Sequence, residues 1–160
     1  MTTTPAVDTG ALDAVRQSMQ DFGRMVSLGK VYEAVLRRSR IDLSRADVQL
    51  LHILSEAGDG IRLGEVAERL GVDAPTVTRR AQQLESRGLL RRAADPLDKR
   101  AQLVQLTAAG TRSVERTRSV FRRWLEEVLA DWTGSERLEL AALLERFTHD
   151  VHSELECHGH

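Results

Sequence analysis

A mostly α-helical fold carrying one small β-hairpin is what this sequence predicts, and three observations point there. Ala, Leu, Arg and Glu are good helix formers and recur throughout the 160 residues, with only three prolines to interrupt them. Over long stretches the apolar residues advance in steps of three and four, the spacing that lines one face of a helix. That spacing fails between about 89 and 106, where two short extended runs flank the turn residues Asp95, Pro96 and Asp98. Aromatic residues supply 4% of the chain against 41% for all apolar types, so the core has to be built mainly from Leu, Val and Ala. The length suits one domain of ordinary size, with no second catalytic domain.

Residues 1–10 are Thr-rich, contain Pro5 and show no period, which reads as a disordered arm ahead of a single domain over 11–160. The arm has neither the basic nor the apolar region of a signal peptide. No run of about 18 apolar residues follows, so a cytoplasmic protein with no membrane partner is expected. Over 11–38, Leu12, Val15, Met19, Phe22 and Val26 share one stripe, which Tyr32, Val35 and Leu36 extend past Gly23 and Gly29. So long a helix in so short a chain buries its stripe most easily against a partner subunit or another long helix, and the partner is the favoured cover.

Ser44, with Asp47 three residues on, forms a capping box for a helix that carries Val48, Leu51, Ile53 and Leu54 and stops near Gly58. Two short helices follow, 63–70 and 74–87. Gly71 and Val72 turn the chain between them and Asp73 is the N-cap of the second. Pro75 sits in a first turn where its missing N–H costs nothing, and Gly88 supplies a left-handed stop. The extended runs, 89–93 and 101–106, make a hairpin with a charged tip. Thr107 caps a long helix to about 131 that carries Val114, Phe121, Leu125, Val128 and Leu129. Thr133 with Glu136 then opens a last helix through Leu140, Leu143, Leu144, Phe147, Val151 and Leu155.

The pair 63–70 and 74–87 has the form of a helix-turn-helix, a motif that places its second helix in the DNA major groove. At 100° per residue, Val77, Ala81 and Leu84 fall within about 60° of one another and face the core. Opposite stand Pro75, Thr76, Thr78, Arg79, Gln82, Gln83 and Ser86, with Ala74 at the helix start, Arg80 and Arg87 at the border, and no acid among them. Arg79 can fork onto guanine O6 and N7, Gln82 or Gln83 can pair with adenine N6 and N7, and a threonine methyl can touch thymine. Thr76 and Thr78 can equally bond phosphates, which position a helix without reading sequence. The plain alternative for Arg79 is a solvated surface side chain, and the helix-turn-helix context favours DNA.

Net charge is −1, which argues against a protein that coats nucleic acid. Its distribution is uneven. Asp73 to Arg100 holds seven of the 23 basic residues and four of the 24 acidic ones, a local balance of +3 on a body of −4. A small basic patch on an acidic body suits contact with a polyanion at one place. Lys99 and Arg100 belong to it, on a hairpin tip that follows the second helix and can reach a neighbouring minor groove. Asp98, which cannot itself favour DNA, fits a bracing role, holding an arginine or capping the turn. An ordinary charged β-turn is the alternative.

The stretch GEVAERLGVDAPTVTRRAQQLESRGLLRRAADPLDKRAQLVQLTAAG resembles the core of the multiple-antibiotic-resistance regulator (MarR) family of bacterial winged-helix proteins. A Leu-Glu-x-x-Gly-Leu motif is met by Leu84, Glu85, Gly88 and Leu89, an Asp-x-Arg wing by Asp98 and Arg100, and Leu-Thr-x-x-Gly by Leu106, Thr107 and Gly110. The resemblance implies a winged-helix lobe over 44–106 and dimerisation helices over 11–38 and 107–155. It implies a homodimer on a pseudopalindromic site in double-stranded DNA, with Arg100 in the minor groove and Asp98 bracing the wing. A repressor relieved by a small aromatic effector is the function it suggests. Arg80 departs from the family, which often has an apolar or less charged residue there, and suggests a slight rotation of the helix or an extra phosphate contact.

Other readings are open at this point. Tyr32, His52 and Trp124 could line an effector pocket, although helical aromatics are more often core, and no ligand residue is fixed. Some branches of the family sense peroxides through a reactive cysteine near the N-terminus, whereas the one cysteine here, Cys157, sits near the other end, where a disordered tail is expected. With His149, His152, His158 and His160 it offers types that hold zinc or copper, which makes a metal-responsive regulator using this tail one alternative, but a fraying tail binds metal weakly, so neither metal nor cofactor is expected. A winged helix used to bind protein is a further alternative. No nucleophile–base pair, phosphate loop or HExxH is visible, so an enzyme is not expected.

Overall fold

Short-range capping chemistry sets many of the element boundaries. The computed structural model describes residues 9–27, 29–39, 42–98 and 101–158. In chain order these form α1 (Thr9–Ser27), α2 (Lys30–Ser39), α3 (Arg45–Ala57), α4 (Leu63–Leu70), α5 (Ala74–Ser86), β1 (Leu90–Ala94), β2 (Gln102–Leu106), α6 (Ala108–Val128) and α7 (Gly134–His158). The fold is mostly α with one antiparallel hairpin, as expected from the sequence.

The cap at Ser44 forms in full. Its hydroxyl accepts from the Asp47 N–H at 3.2 Å and its own N–H donates to Asp47 Oδ2 at 2.9 Å. Asp73 Oδ1 accepts from the Thr76 N–H at 2.9 Å at the head of α5. Thr133 and Glu136 repeat the reciprocal pattern ahead of α7. Gly71 ends α4 in the left-handed region at φ 63°, where only glycine sits without strain.

The expected helix over 11–38 is two helices. Gly29 has φ 70°, a conformation that cannot continue a right-handed helix, and α1 stops before it while α2 starts after it. α1 also begins at Thr9, inside the stretch expected to be a disordered arm. Gly10 is tolerated there because first-turn N–H groups have no intrahelical partner to lose. Residues 1–8 lie outside the described residues. At the other end α7 continues to His158, so Cys157 is an exposed helical residue and not part of a frayed tail. No glycine or proline interrupts 151–158, and Gly159 is the first breaker.

Two compact units result, Met1–Phe121 and Arg122–His160, with the boundary inside α6. The core of the first unit combines Leu50, Leu51 and Leu54 of α3, Val66 of α4, Val77, Ala81 and Leu84 of α5, Leu90 and Val104 of the hairpin, and Val114 of α6. Tyr32 packs at its edge, and the fully buried members are all aliphatic. β1 pairs with β2 from Leu90↔Leu106 to Ala94↔Gln102, and Ile61 adds a bridge to Val104 that ties the hairpin to the chain just before α4. Arg45 joins the α1–α2 junction to α3, donating to the Val26 carbonyl at 2.9 Å with its guanidinium carbon 5.3 Å from the Tyr32 ring centroid. On α1, however, Leu12, Val15, Met19 and Phe22 remain exposed. In the second unit the same holds for Leu143, Leu144, Phe147, Val151 and Leu155 of α7.

Candidate nucleic-acid interface

α5 buries Val77, Ala81 and Leu84 and presents its opposite face to solvent. Ala74, Pro75, Arg79, Gln82 and Gln83 are exposed, and Thr76 and Thr78 half-buried. Among the described residues no side chain hydrogen-bonds the ends of Thr78, Arg79, Gln82 or Gln83, so their donors and acceptors stay available. Thr76 is partly spent, because its hydroxyl donates to Asp73 Oδ2 at 2.8 Å. The Thr76 N–H and hydroxyl hold the Asp73 carboxyl below its ordinary range, so the cap stays ionised at neutral pH.

The end of α5 is a double hydrogen-bonded stop. The Gly88 N–H donates to the Glu85 carbonyl at 2.9 Å and the Leu89 N–H to the Leu84 carbonyl at 3.0 Å, with Gly88 at φ 71°. These are the four residues of the Leu-Glu-x-x-Gly-Leu motif, so the motif is the geometry of this stop. The Leu-Thr-x-x-Gly motif docks onto it. Thr107 Oγ1 donates to the Gly88 carbonyl at 2.6 Å and accepts from the Gly110 N–H at 3.1 Å, while the Thr107 N–H reaches the Leu89 carbonyl at 3.0 Å. A Cβ on Gly110 would collide with that same Leu89 carbonyl, so only glycine lets α6 start so close to β1. α5, the hairpin and α6 are therefore fastened at one point.

A family model described as MarR family matches residues 41–101, the segment that holds α3, α4, α5 with its stop, and β1. The Bacillus subtilis HTH-type transcriptional regulator YdgJ is 32% identical over 111 residues, covering 69% of this chain and 67% of that one. The chain belongs to the MarR family. Apo MarR from E. coli superposes with a TM-score of 0.64 at 26% identity, covering 78% of this chain and 95% of that one. S. aureus MepR shares the fold at 22% identity and a TM-score of 0.59. It has been solved bound to an oligodeoxyribonucleotide, as a mutant, and also bound to ethidium bromide; each comparison covers 82% of this chain, with 96% and 95% of those chains. This MarR-family chain is thus a DNA-binding transcriptional regulator built on a winged helix-turn-helix.

Within that frame the basic patch divides. Arg80, expected at the edge of the reading face, is used internally. Its Nη1 donates to Asp47 Oδ1 at 2.9 Å and to Ser44 Oγ at 3.1 Å. Arg87 bonds the Asp42 carbonyl and Arg92 donates to Glu85 at 3.1 Å. Arg80 and Arg87, seven residues apart, clamp one border of α5 to the start of α3. Arg79 and Arg91 keep no ion pair among the described residues. Lys99 and Arg100 lie outside the described residues.

Asp98 approaches Arg62, at 3.6 Å, but the stronger bond to that arginine comes from Asp95, which the sequence showed only as a turn residue. Arg62 itself was missed. Its signal was an arginine at the N-cap of a helix, where a serine, threonine or aspartate usually stands. Of the three aromatic candidates, Tyr32 packs on the core and His52 is half-buried on α3, its pKa lowered by burial and by Arg118. Trp124 belongs to the second unit. Among the described residues no group of three or more His, Cys, Asp or Glu is placed to hold a metal, and no helix is long and apolar enough to cross a membrane.

Proposed function

We propose that this regulator is a homodimeric repressor that reads a pseudopalindromic operator with Ala74, Pro75, Thr76, Thr78, Arg79, Gln82 and Gln83 of α5, in the cytoplasm and without catalysing a reaction. The observation that carries the reading is the exposed, acid-free face of α5 with the donors of Arg79, Gln82 and Gln83 uncommitted. Lys99 and Arg100 contact the adjacent minor groove from the wing, while Arg80 acts on α5 from behind through Asp47. Two copies per site are supported by the apolar stripes on α1 and α7, which a second copy would cover. A small aromatic effector that relieves repression is supported by MepR's binding of ethidium, a planar aromatic cation.

Selecting bound duplexes from random-sequence DNA with the purified chain tests this. Two half-sites related by a dyad and about one helical turn apart are expected. Arg79→Ala relaxes base preference at one position per half-site by about 1–3 kcal/mol, and Arg100→Ala weakens binding more uniformly. If neither substitution changes binding, this placement of the reading head is wrong. No affinity above background at moderate salt would instead support a protein-binding winged helix.

A further inference from the structure

Arg62 stands at the N-cap of α4 with an extended backbone, φ −72° and ψ 141°, and makes no capping bond. Its guanidinium points to the wing instead. Nε and Nη2 both donate to Asp95 Oδ2, at 2.9 and 2.6 Å, and Nη2 lies 3.6 Å from Asp98 Oδ2. The Asp95 side chain is only 6% exposed, and its other oxygen accepts from the Leu97 N–H at 2.8 Å. The Asp95 N–H donates to the Ala101 carbonyl at 3.1 Å, and the Ala101 N–H to the Asp98 carbonyl at 2.9 Å. The buried Asp95 carboxylate therefore joins the start of α4 to the backbone of the hairpin turn, and the backbone N–H of the same residue bonds Ala101 across the turn. Beside it Leu97 is held out at the tip, 95% exposed.

A two-stranded hairpin is marginally stable alone, and its tip is the part most free to swing. Here the tip is fastened to a residue 33 positions earlier, at the head of the helix that packs on the recognition helix. We infer that Arg62 and Asp95 form a latch that fixes the wing tip relative to α5, so that one orientation of the protein on DNA serves both grooves; Arg62 is a positioning residue of the interface. This rests on the reading of the hairpin as a DNA-contacting wing.

Charge makes the test sharp. Asp95→Asn removes a negative charge from a surface that meets a polyanion, so on charge alone it tightens binding. The latch predicts the opposite. Using the full chain and a duplex that the wild type selects from random DNA, Asp95→Asn and Arg62→Gln should each weaken binding by about fivefold to tenfold, and the double variant no further. Without DNA, the Leu97 and Ala101 amides should exchange faster in both single variants, while thermal unfolding shifts little. Binding by Asp95→Asn as tight as wild type, or single effects that add, overturns the latch. So does a loss confined to Arg62→Gln that lowers the salt dependence by one phosphate contact, which would make Arg62 a direct DNA ligand. If the wild type itself shows no DNA affinity, the DNA reading fails and takes the wing-positioning role with it, whatever the amides do.

Discussion

The lobe from α3 to the start of α6 and the helices that flank it solve the same burial problem in opposite ways. Between Leu43 and Val114 the lobe closes its own core, and residues such as Leu50, Leu51 and Val66 reach near-zero exposure inside a single chain. α1 and α7 have the same helical spacing of apolar residues, yet Phe22 is 58% and Leu155 67% exposed. A fully buried aliphatic or aromatic side chain stabilises by about 1.5–3 kcal/mol, so stripes of this length left in water forgo much of what could hold the helices in place. The contrast teaches that the lobe closes its core within one chain, while α1 and α7 leave their apolar stripes open, and a second copy is the cover that the proposed homodimer would supply.

Putting a charge on a stripe breaks the comparison most strongly. Leu144→Asp on α7 loses its burial twice in a symmetric dimer, roughly 3–6 kcal/mol, which raises the dissociation constant by more than about 100-fold. Sedimentation should show monomers whose lobe still unfolds cooperatively. A dimer unchanged in mass at micromolar concentration would mean that the α7 stripe is not the dimer surface.

The next largest effect falls on the lobe. Leu51→Ala empties a site with almost no exposure in the wild type and costs about 2–5 kcal/mol, read as a drop in Tm. Because that core lies within one chain, the loss itself should be nearly the same at every protein concentration, whereas the Leu144→Asp effect should shrink as concentration falls. Equal concentration dependence for both would erase the distinction between the two regions.

The same division explains what could be read in advance. Ser44, Asp73, Gly71, Gly88 and Thr133 act within four residues of themselves, so their caps and stops were legible as local spacing. Gly29 is the instructive exception. Its break carried two signals that a reading of one continuous stripe passes over: a glycine between two helical runs, and a change of phase, since at 100° per residue Tyr32, Val35 and Leu36 fall roughly 120° away from the stripe of Leu12 to Val26. The side chains of Arg79, Gln82 and Gln83 were legible as well, since a helix period alone assigns them to the face opposite Val77 and Leu84. Arg80 to Asp47 and Arg62 to Asp95 each span 33 residues, and Arg87 to Asp42 spans 45. No periodicity encodes such pairs. They depend on how α3, α4 and the hairpin pack, so Arg80, Arg87 and Asp95, which looked like interface or turn chemistry, turn out to be hydrogen-bonded within the chain.

The smallest effect separates the regions by acid. Burial pushes the Asp47 carboxyl upward, but the Ser44 hydroxyl and backbone N–H and the Arg80 guanidinium outweigh it, leaving the pKa below the ordinary carboxylate value. A depressed folded-state pKa contributes stability that is complete above the unfolded value and is lost as pH falls through the folded one. Asp47→Asn should therefore lower the lobe's stability by on the order of 1–2 kcal/mol at neutral pH and flatten its decline below the normal carboxylate range. Since Asp47 also holds Arg80, the substitution should loosen α5 against α3 and weaken operator binding, with the dimer dissociation constant untouched. A pH–stability curve with the same acid limb in wild type and Asp47→Asn would show that the cap and clamp at Asp47 add nothing to the lobe's self-sufficiency.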